Sequence, residues 1–281
     1  MASYQRPARL ADALAALAAG PHVIVAGGTN FYAARVGQPL AEDVLDISGL
    51  TDLRQITDEG TGWRIPALAT WTDVIEAELP PLFDGLKLAA RGVGSKQIQN
   101  VGTICGNLCN ASAAADGVPA LLALDAEVEL ASCTGARRLG VADFVTGHGT
   151  TARRADELVV ALRVSRPPGA ARSTFLKLGA RTYLAISIAM VAVVIETDAA
   201  GTISAARIAI GSCAAVAKRL HQLERELAGR RLVPDLAQLV TDHHFEPLAP
   251  IDDIRGSALY RRDAALTLTR RALAQLAEQP V

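Results

Sequence analysis

The chain has 281 residues, half of them hydrophobic but only 4% aromatic, with 28 Lys+Arg against 29 Asp+Glu. It is too apolar for disorder, and its net charge of −1 provides no field to gather nucleic acid or an anionic membrane. One core is near its limit at this length, so two or three packed units are expected.

After Pro7, ARLADALAALAAG places Leu10, Leu14 and Leu17 on one face and stops at Gly20, predicting a first helix with Pro7 in its first turn. HVIVA (22–26) is a β-branched run cut by Gly27 and Gly28, hence a buried strand entering a glycine turn, and AEDVLDI (41–47) predicts another strand. Together they make a first α/β unit, 1–55.

A second unit, 56–166, opens with a strand at WRIPALA (63–69) and a helix at WTDVIEAEL (71–79) capped by Thr70 or Thr72. LFDGLKLAAR (82–91) predicts a helix, and NVGTICGNLCNASAAADG (100–117), built almost wholly of small residues, predicts a loop. A short helix then leads to a hairpin turning at Thr134-Gly135, and DELVVALRVS (156–165) is a strand that stops at Arg166-Pro167-Pro168-Gly169, the clearest linker signal.

The third unit, 172–281, begins with STFLKLG (173–179). YLAISIAMVAVVI (183–195) follows, too short for a bilayer span of about 20 residues, and then a DAAG turn and TISAARIAIG (202–211), which predicts a hairpin. HQLERELAG (221–229), PDLAQLVTDHH (234–244) and a segment over 257–279 predict helices. The first ten residues contain no signal-peptide core, and four cysteines make no disulfide framework, so a soluble protein of the reducing cytoplasm is expected.

Two stretches expose backbone. In VIVAGGTN (23–30) a strand runs into glycines that let peptide N–H groups approach a ligand, although the G-x-G-x-x-G and Gly-Lys-Ser/Thr spacings are missing. The small-residue stretch adds the neutral groups of Thr103, Asn107, Asn110 and Ser112, which suit a pyrophosphate. Two such segments, distant in the chain, can clasp a dinucleotide from both sides.

AGGTN (26–30), QIQNVGTICGN (97–107) and ASAAAD (111–116) resemble the FAD-binding (medium) subunit of the xanthine dehydrogenase and carbon monoxide dehydrogenase family of molybdenum hydroxylases. FLKLGAR (175–181), the Tyr4-x-Arg6-Pro7 opening and D-x-R-G-S-A-x-Y-R-R (253–262) extend the resemblance over nearly the whole chain. It implies an α+β architecture: a two-subdomain FAD-binding fold of the vanillyl-alcohol-oxidase/PCMH type, followed by a C-terminal α+β domain with a small antiparallel sheet and helices.

The resemblance also implies the site residues. Ile24, Val25, Ala26, Gly27, Gly28, Thr29, Asn30 and Phe31 would wrap the FAD pyrophosphate from one side, and Thr103, Cys105, Gly106 and Asn107 from the other. Asp116 would contact the cofactor, Val93 would pack against it, Val159 would line the flavin and Lys177 would reach it from the third unit. Cys105 stands where the family pattern has glycine. No catalytic acid, base or nucleophile is implied for this chain.

The implied function is electron transfer in a heterotrimeric oxidoreductase, assembled as a dimer of heterotrimers. A large molybdopterin-binding subunit would hydroxylate the substrate, a small subunit would carry two two-iron clusters, and the flavin would pass electrons to an external acceptor. A self-contained FAD-dependent oxidase or dehydrogenase and a non-enzymatic nucleotide-binding assembly module remain as alternatives.

No metal site is expected. Cys105 and Cys109 are spaced C-x₃-C, and Cys133 and Cys213 are isolated. His243-His244, even with Glu246 nearby, reads as a helix end near solvent, because adjacent helical residues point about 100° apart. Arg137-Arg138, Arg153-Arg154 and Arg261-Arg262 read as solvated or partner-facing.

Overall fold

Three larger sheets and one two-stranded hairpin organise residues 2–278, the part described by the computed structural model. β1 (Tyr4–Gln5), β2 (Val23–Val25) and β3 (Val44–Asp46) form a parallel sheet in the order β1-β3-β2. Helix α1 (Leu10–Ala19) packs on it through Ala13, Leu14 and Leu17. The helix starts at Leu10, with Pro7 outside it, because Arg9 is already extended at φ −124 and acts as the N-cap. This small sheet shares its core with the second: Leu158 and Val160 lie in the same apolar cluster as Leu14, Leu17 and Leu45.

The second sheet runs in the order β4 (Thr57–Asp58), β5 (Gly62–Pro66), β10 (Leu158–Ser165), β6 (Glu127–Ser132) and β7 (Gly135–Gly140), with antiparallel pairing throughout. Helices α2 (Trp71–Glu76), α3 (Asp84–Gly92), α4 (Lys96–Val101), α5 (Ile104–Asn110), α6 (Gly117–Ala123) and α7 (Val141–Phe144) fill out this part, with a hairpin of β8 (Val145–Gly147) and β9 (Thr150–Thr151). The expected loop over 100–117 is therefore mostly helical. Thr103 caps α5 by accepting the Gly106 N–H at 3.0 Å, and Ile104, Cys105 and Leu108 give the helix a buried face. Ala111 ends it in the left-handed region, at φ 47.

The third sheet is a meander of β11 (Ala170–Gly179), β12 (Ser187–Thr197), β13 (Ile203–Gly211) and β14 (Lys218–Arg219). Every residue of β12 is buried. Met190, Ala192 and Val194 face the core of the second sheet, while Ala189, Val191, Val193 and Ile195 face α8 (His221–Leu227) and α9 (Ala258–Glu278). The continuous apolar run of the sequence is thus a central strand covered on both faces. Among the described residues no helix is long and apolar enough to cross a membrane.

The segment over 234–244 departs from the predicted helix. Two 3₁₀ turns, Pro234–Leu239 and Asp242–Phe245, are separated by the extended Val240 and Thr241. The Val240 carbonyl accepts the Arg270 side chain at 2.7 Å, which holds the break open. The last predicted helix residue, Gln279, lies outside the described residues, as do residue 1 of the expected first unit and residues 280–281 of the expected third.

Candidate functional site: a two-sided backbone cradle

β2 ends at the buried Val25, and the chain then turns through Gly27 and Gly28 toward Thr29 and Asn30. A Cβ on Gly27 would stand 1.8 Å from the Val101 carbonyl oxygen, so only glycine permits this approach. Gly28 adopts φ +68, and a Cβ there would meet the Tyr32 ring at 2.6 Å. Thr29 lies beside Gly102 on the other motif. Phe31 holds the far end of the turn, its ring covered by the Arg35 guanidinium at 4.2 Å and its carbonyl accepting Arg35 Nη1.

The opposing wall is built on two neighbouring caps. Thr70 caps α2 in a capping box with Asp73, and Thr103 caps α5. The chain segments pair directly: Trp71 N–H donates to the Gly102 carbonyl and Ile104 N–H to the Ala69 carbonyl, each at 3.1 Å. This places Gly106 on the exposed side of the first turn of α5. Cys105 turns inward instead, with its Sγ 4.0 Å from the Pro66 carbonyl. Burial, reinforced by Cys109, pushes its thiol well above the ordinary range, so it is a neutral core filler. A Cβ is tolerated where the family pattern has glycine because this position points into protein.

The structure brings Asp116 and Lys177 together. Lys177 Nζ donates to Asp116 Oδ2 at 2.5 Å and to the Gly92 carbonyl at 3.3 Å, while Ser187 Oγ donates to Asp116 Oδ1 at 2.5 Å. Burial raises the Asp116 carboxyl above the usual carboxylate range, against the pull of Lys177. Val93 adjoins Gly92 at the end of α3, its carbonyl fixed by Gln99 Nε2 at 3.0 Å. Val159 is buried in the core of the second sheet, beside an irregularity in the β10–β6 pairing. Ser187 and Gly92 carried no sequence signal, since both act through long-range contacts.

Two features test whether the cradle suits a dinucleotide. The Gly27–Val101 approach leaves backbone rather than side chains at the motif surface. Asn107 Oδ1 is buried next to Gly117 without a hydrogen-bond partner, a neutral polar atom left available beside the cap. The bare backbone suits the pyrophosphate, and the Asn107 oxygen, an acceptor, suits a hydroxyl or amino donor of the same cofactor.

Three basic residues depart from the solvated reading. Arg261 is buried and donates to the Ile188 and Ser212 carbonyls at 2.6 and 3.1 Å and to Asp253 at 2.6 Å. Arg137 clamps the buried Glu157 through two donors, and Arg153 donates to the Glu157 carbonyl at 2.7 Å. His244 is buried as well, and its ring lies 3.9 Å from that of His243, centroid to centroid. The carboxylate facing the two histidines belongs to Glu226, not Glu246.

Comparison with known proteins identifies the family. The family model described as the FAD binding domain in molybdopterin dehydrogenase matches residues 1–167, and that of the CO dehydrogenase flavoprotein C-terminal domain matches 174–276. The chain is 31% identical to the nicotinate dehydrogenase FAD-subunit of Eubacterium barkeri over 92% of its own length and 89% of the relative's. It is 28% identical to the carbon monoxide dehydrogenase medium chain of Hydrogenophaga pseudoflava, over 96% and 95% of the two chains. A chain of reconstituted CO dehydrogenase from Oligotropha carboxidovorans superposes with a TM-score of 0.89 at 27% identity, covering 100% of this chain and 99% of that one. The expected α+β flavoprotein fold is therefore the observed one, and the chain belongs to the family of FAD-binding subunits of molybdopterin dehydrogenases.

Proposed function

We propose that this chain is the FAD-carrying electron-transfer subunit of a molybdenum hydroxylase. The proposed complex joins it to a large molybdopterin-binding subunit and a small subunit with two two-iron clusters, in a dimer of heterotrimers in the cytoplasm. When bound, FAD supplies the exchange between the single electrons of iron–sulfur clusters and the electron pair that an acceptor takes.

The observation that carries this reading is the apposition of the Gly27 turn and the Val101–Gly102 backbone. Ile24, Val25, Ala26, Gly27, Gly28, Thr29, Asn30 and Phe31 form one wall for the cofactor, and Thr103, Cys105, Gly106 and Asn107 the other. In this reading Cys105 contributes through its backbone, since its side chain is buried. The Asp116–Lys177 pair closes the site beside Val93, and Val159 supports it from the strand beneath. On the proposed division into 1–55, 56–166 and 172–281, that pair spans the second and third units. Leu184, Ile186 and Arg255 line a cavity of about 410 Å³, and the adjacent Ile254 is 96% exposed. Such an apolar surface supports coverage by a partner subunit.

Gly106→Val tests the cradle. A Cβ at this exposed position would meet only Thr103 Oγ1, at 2.8 Å, so the fold loses at most part of a helix cap, about 1 kcal/mol. The expected outcome is loss of the visible flavin spectrum with an unchanged far-UV circular dichroism spectrum. Full flavin occupancy in the variant would overturn the assignment of this wall.

A further inference from the structure

We propose that Glu226, His243 and His244 form a binding site for a late first-row divalent cation of the zinc class, joining α8 to the 3₁₀ turn Asp242–Phe245. The ligand-capable atoms of these three side chains all lie within 4.8 Å of one another. His244 Nε2 is 3.2 Å from Glu226 Oε2, and His243 Nε2 is 3.8 Å from Glu226 Oε1. Both imidazoles therefore aim their outer nitrogens at one carboxylate. Metal–ligand bonds of about 2.0–2.2 Å require these atoms to draw inward, which rotations of the half-exposed His243 and the partly exposed Glu226 allow. Two imidazoles and a carboxylate select zinc and its neighbours over magnesium or calcium, which prefer all-oxygen shells.

The surroundings preorganise the set. The His244 side chain is wholly enclosed, and its Nδ1 lies 3.1 Å from the Thr241 amide nitrogen and 3.2 Å from the Thr241 carbonyl. Without metal, Nδ1 accepts from the amide and Nε2–H donates to Glu226. With metal, the proton moves to Nδ1 and is donated to the carbonyl, the arrangement that fixes a ligating histidine from behind. Losing the amide's acceptor makes the site weaker than a dedicated structural zinc centre. Glu226 is ready as an anion, its carboxyl held below the usual range first by the hydrogen bond from His244 and then by that from Gln222. Asp242, in the same turn, is tied to α9 by Arg262 at 2.8 Å, so an ion here would fasten α8 to the helical layer.

The adjacent histidines meet because Thr241 captures the His244 ring as part of its capping box and the His243 ring through its hydroxyl, at 2.5 Å. That capture cancels the divergence that helical spacing alone would impose.

The probe is Zn²⁺ alone, titrated into the metal-free full-length chain, with Mg²⁺ as comparison. One zinc per chain is expected, with a raised melting temperature, no response to Mg²⁺, and a shift of the His244 tautomer in ¹H–¹⁵N correlation spectra. Glu226→Gln and His243→Gln alter groups that solvent reaches and leave the buried His244 intact. Each is expected to weaken zinc binding by at least the roughly 10- to 100-fold that even loss of an outer-shell partner produces. Absence of zinc binding, or binding unaffected by both variants, would overturn the proposal.

Discussion

Asp116 and Lys177 are 61 positions apart in sequence and 2.5 Å apart in space, and their contact joins the start of α6 to β11. The carboxylate is enclosed, with a second hydrogen bond from Ser187, and the ammonium group is only slightly more open. A pair so placed contributes little net stability while intact, but losing one partner leaves a buried charge.

Lys177→Met is accordingly expected to destabilise the chain by about 3 kcal/mol. Adding Asp116→Asn should restore part of that loss, and denaturant midpoints of the four forms measure it. The pH dependence has a definite sign. Asp116 has a raised folded-state pKa, so its contribution is fully present below the ordinary aspartate value of about 3.9 and declines as pH rises through the raised value. Lys177→Met raises that value further and should steepen the decline on the alkaline side. A variant whose midpoint does not depend on pH over that range would contradict the pairing.

Gly27→Ala addresses the other contact between distant segments. The added methyl would fall 1.8 Å from the Val101 oxygen and 2.6 Å from its carbon, both backbone atoms that no rotamer change relieves. The turn must move away from α4. Loss of flavin together with a large drop in melting temperature is expected, in contrast to Gly106→Val, which should lose flavin with only a small drop.

The cysteines give a third test. Cys105 and Cys213 are buried, the Cys109 thiol is pushed up to about 11 by burial, and Cys133 is exposed in the hairpin turn. Thiol-specific reagents should therefore modify Cys133 quickly in the native chain, the partly exposed Cys109 much more slowly, and Cys105 and Cys213 only after unfolding. Cys133→Ser should abolish the fast phase. Fast modification of Cys105 would mean that the α5 wall is open rather than packed.

Much of the architecture was legible in the residues. β-branched runs located the long strands, Thr134-Gly135 and the DAAG turn located hairpin breaks, and Gly20 located the end of the first helix. The glycine turn at 27–28 and the cap at Thr103 were visible as motifs, but their mutual contact was not, because no local pattern encodes a Gly27–Val101 approach. The small-residue stretch read as a loop because glycine and asparagine lower helix propensity, whereas tertiary burial of Ile104, Cys105 and Leu108 overrides it. Strands of two residues such as β1 and β4 carry too little pattern to register. Arg261 and His244 looked like surface groups because their partners, the Ile188 carbonyl and Glu226, come from distant segments.

A chain that relays electrons for a partner performing the substrate chemistry has a flavin that answers the substrate only through that partner. The direct measurement is anaerobic bleaching of its visible flavin band by the organic substrate, first on the purified chain and then after addition of the molybdopterin and iron–sulfur subunits. The expected flavin spectrum is left untouched by the substrate in the isolated chain and is bleached in the reconstituted complex. Bleaching of the isolated chain by the substrate would contradict the relay.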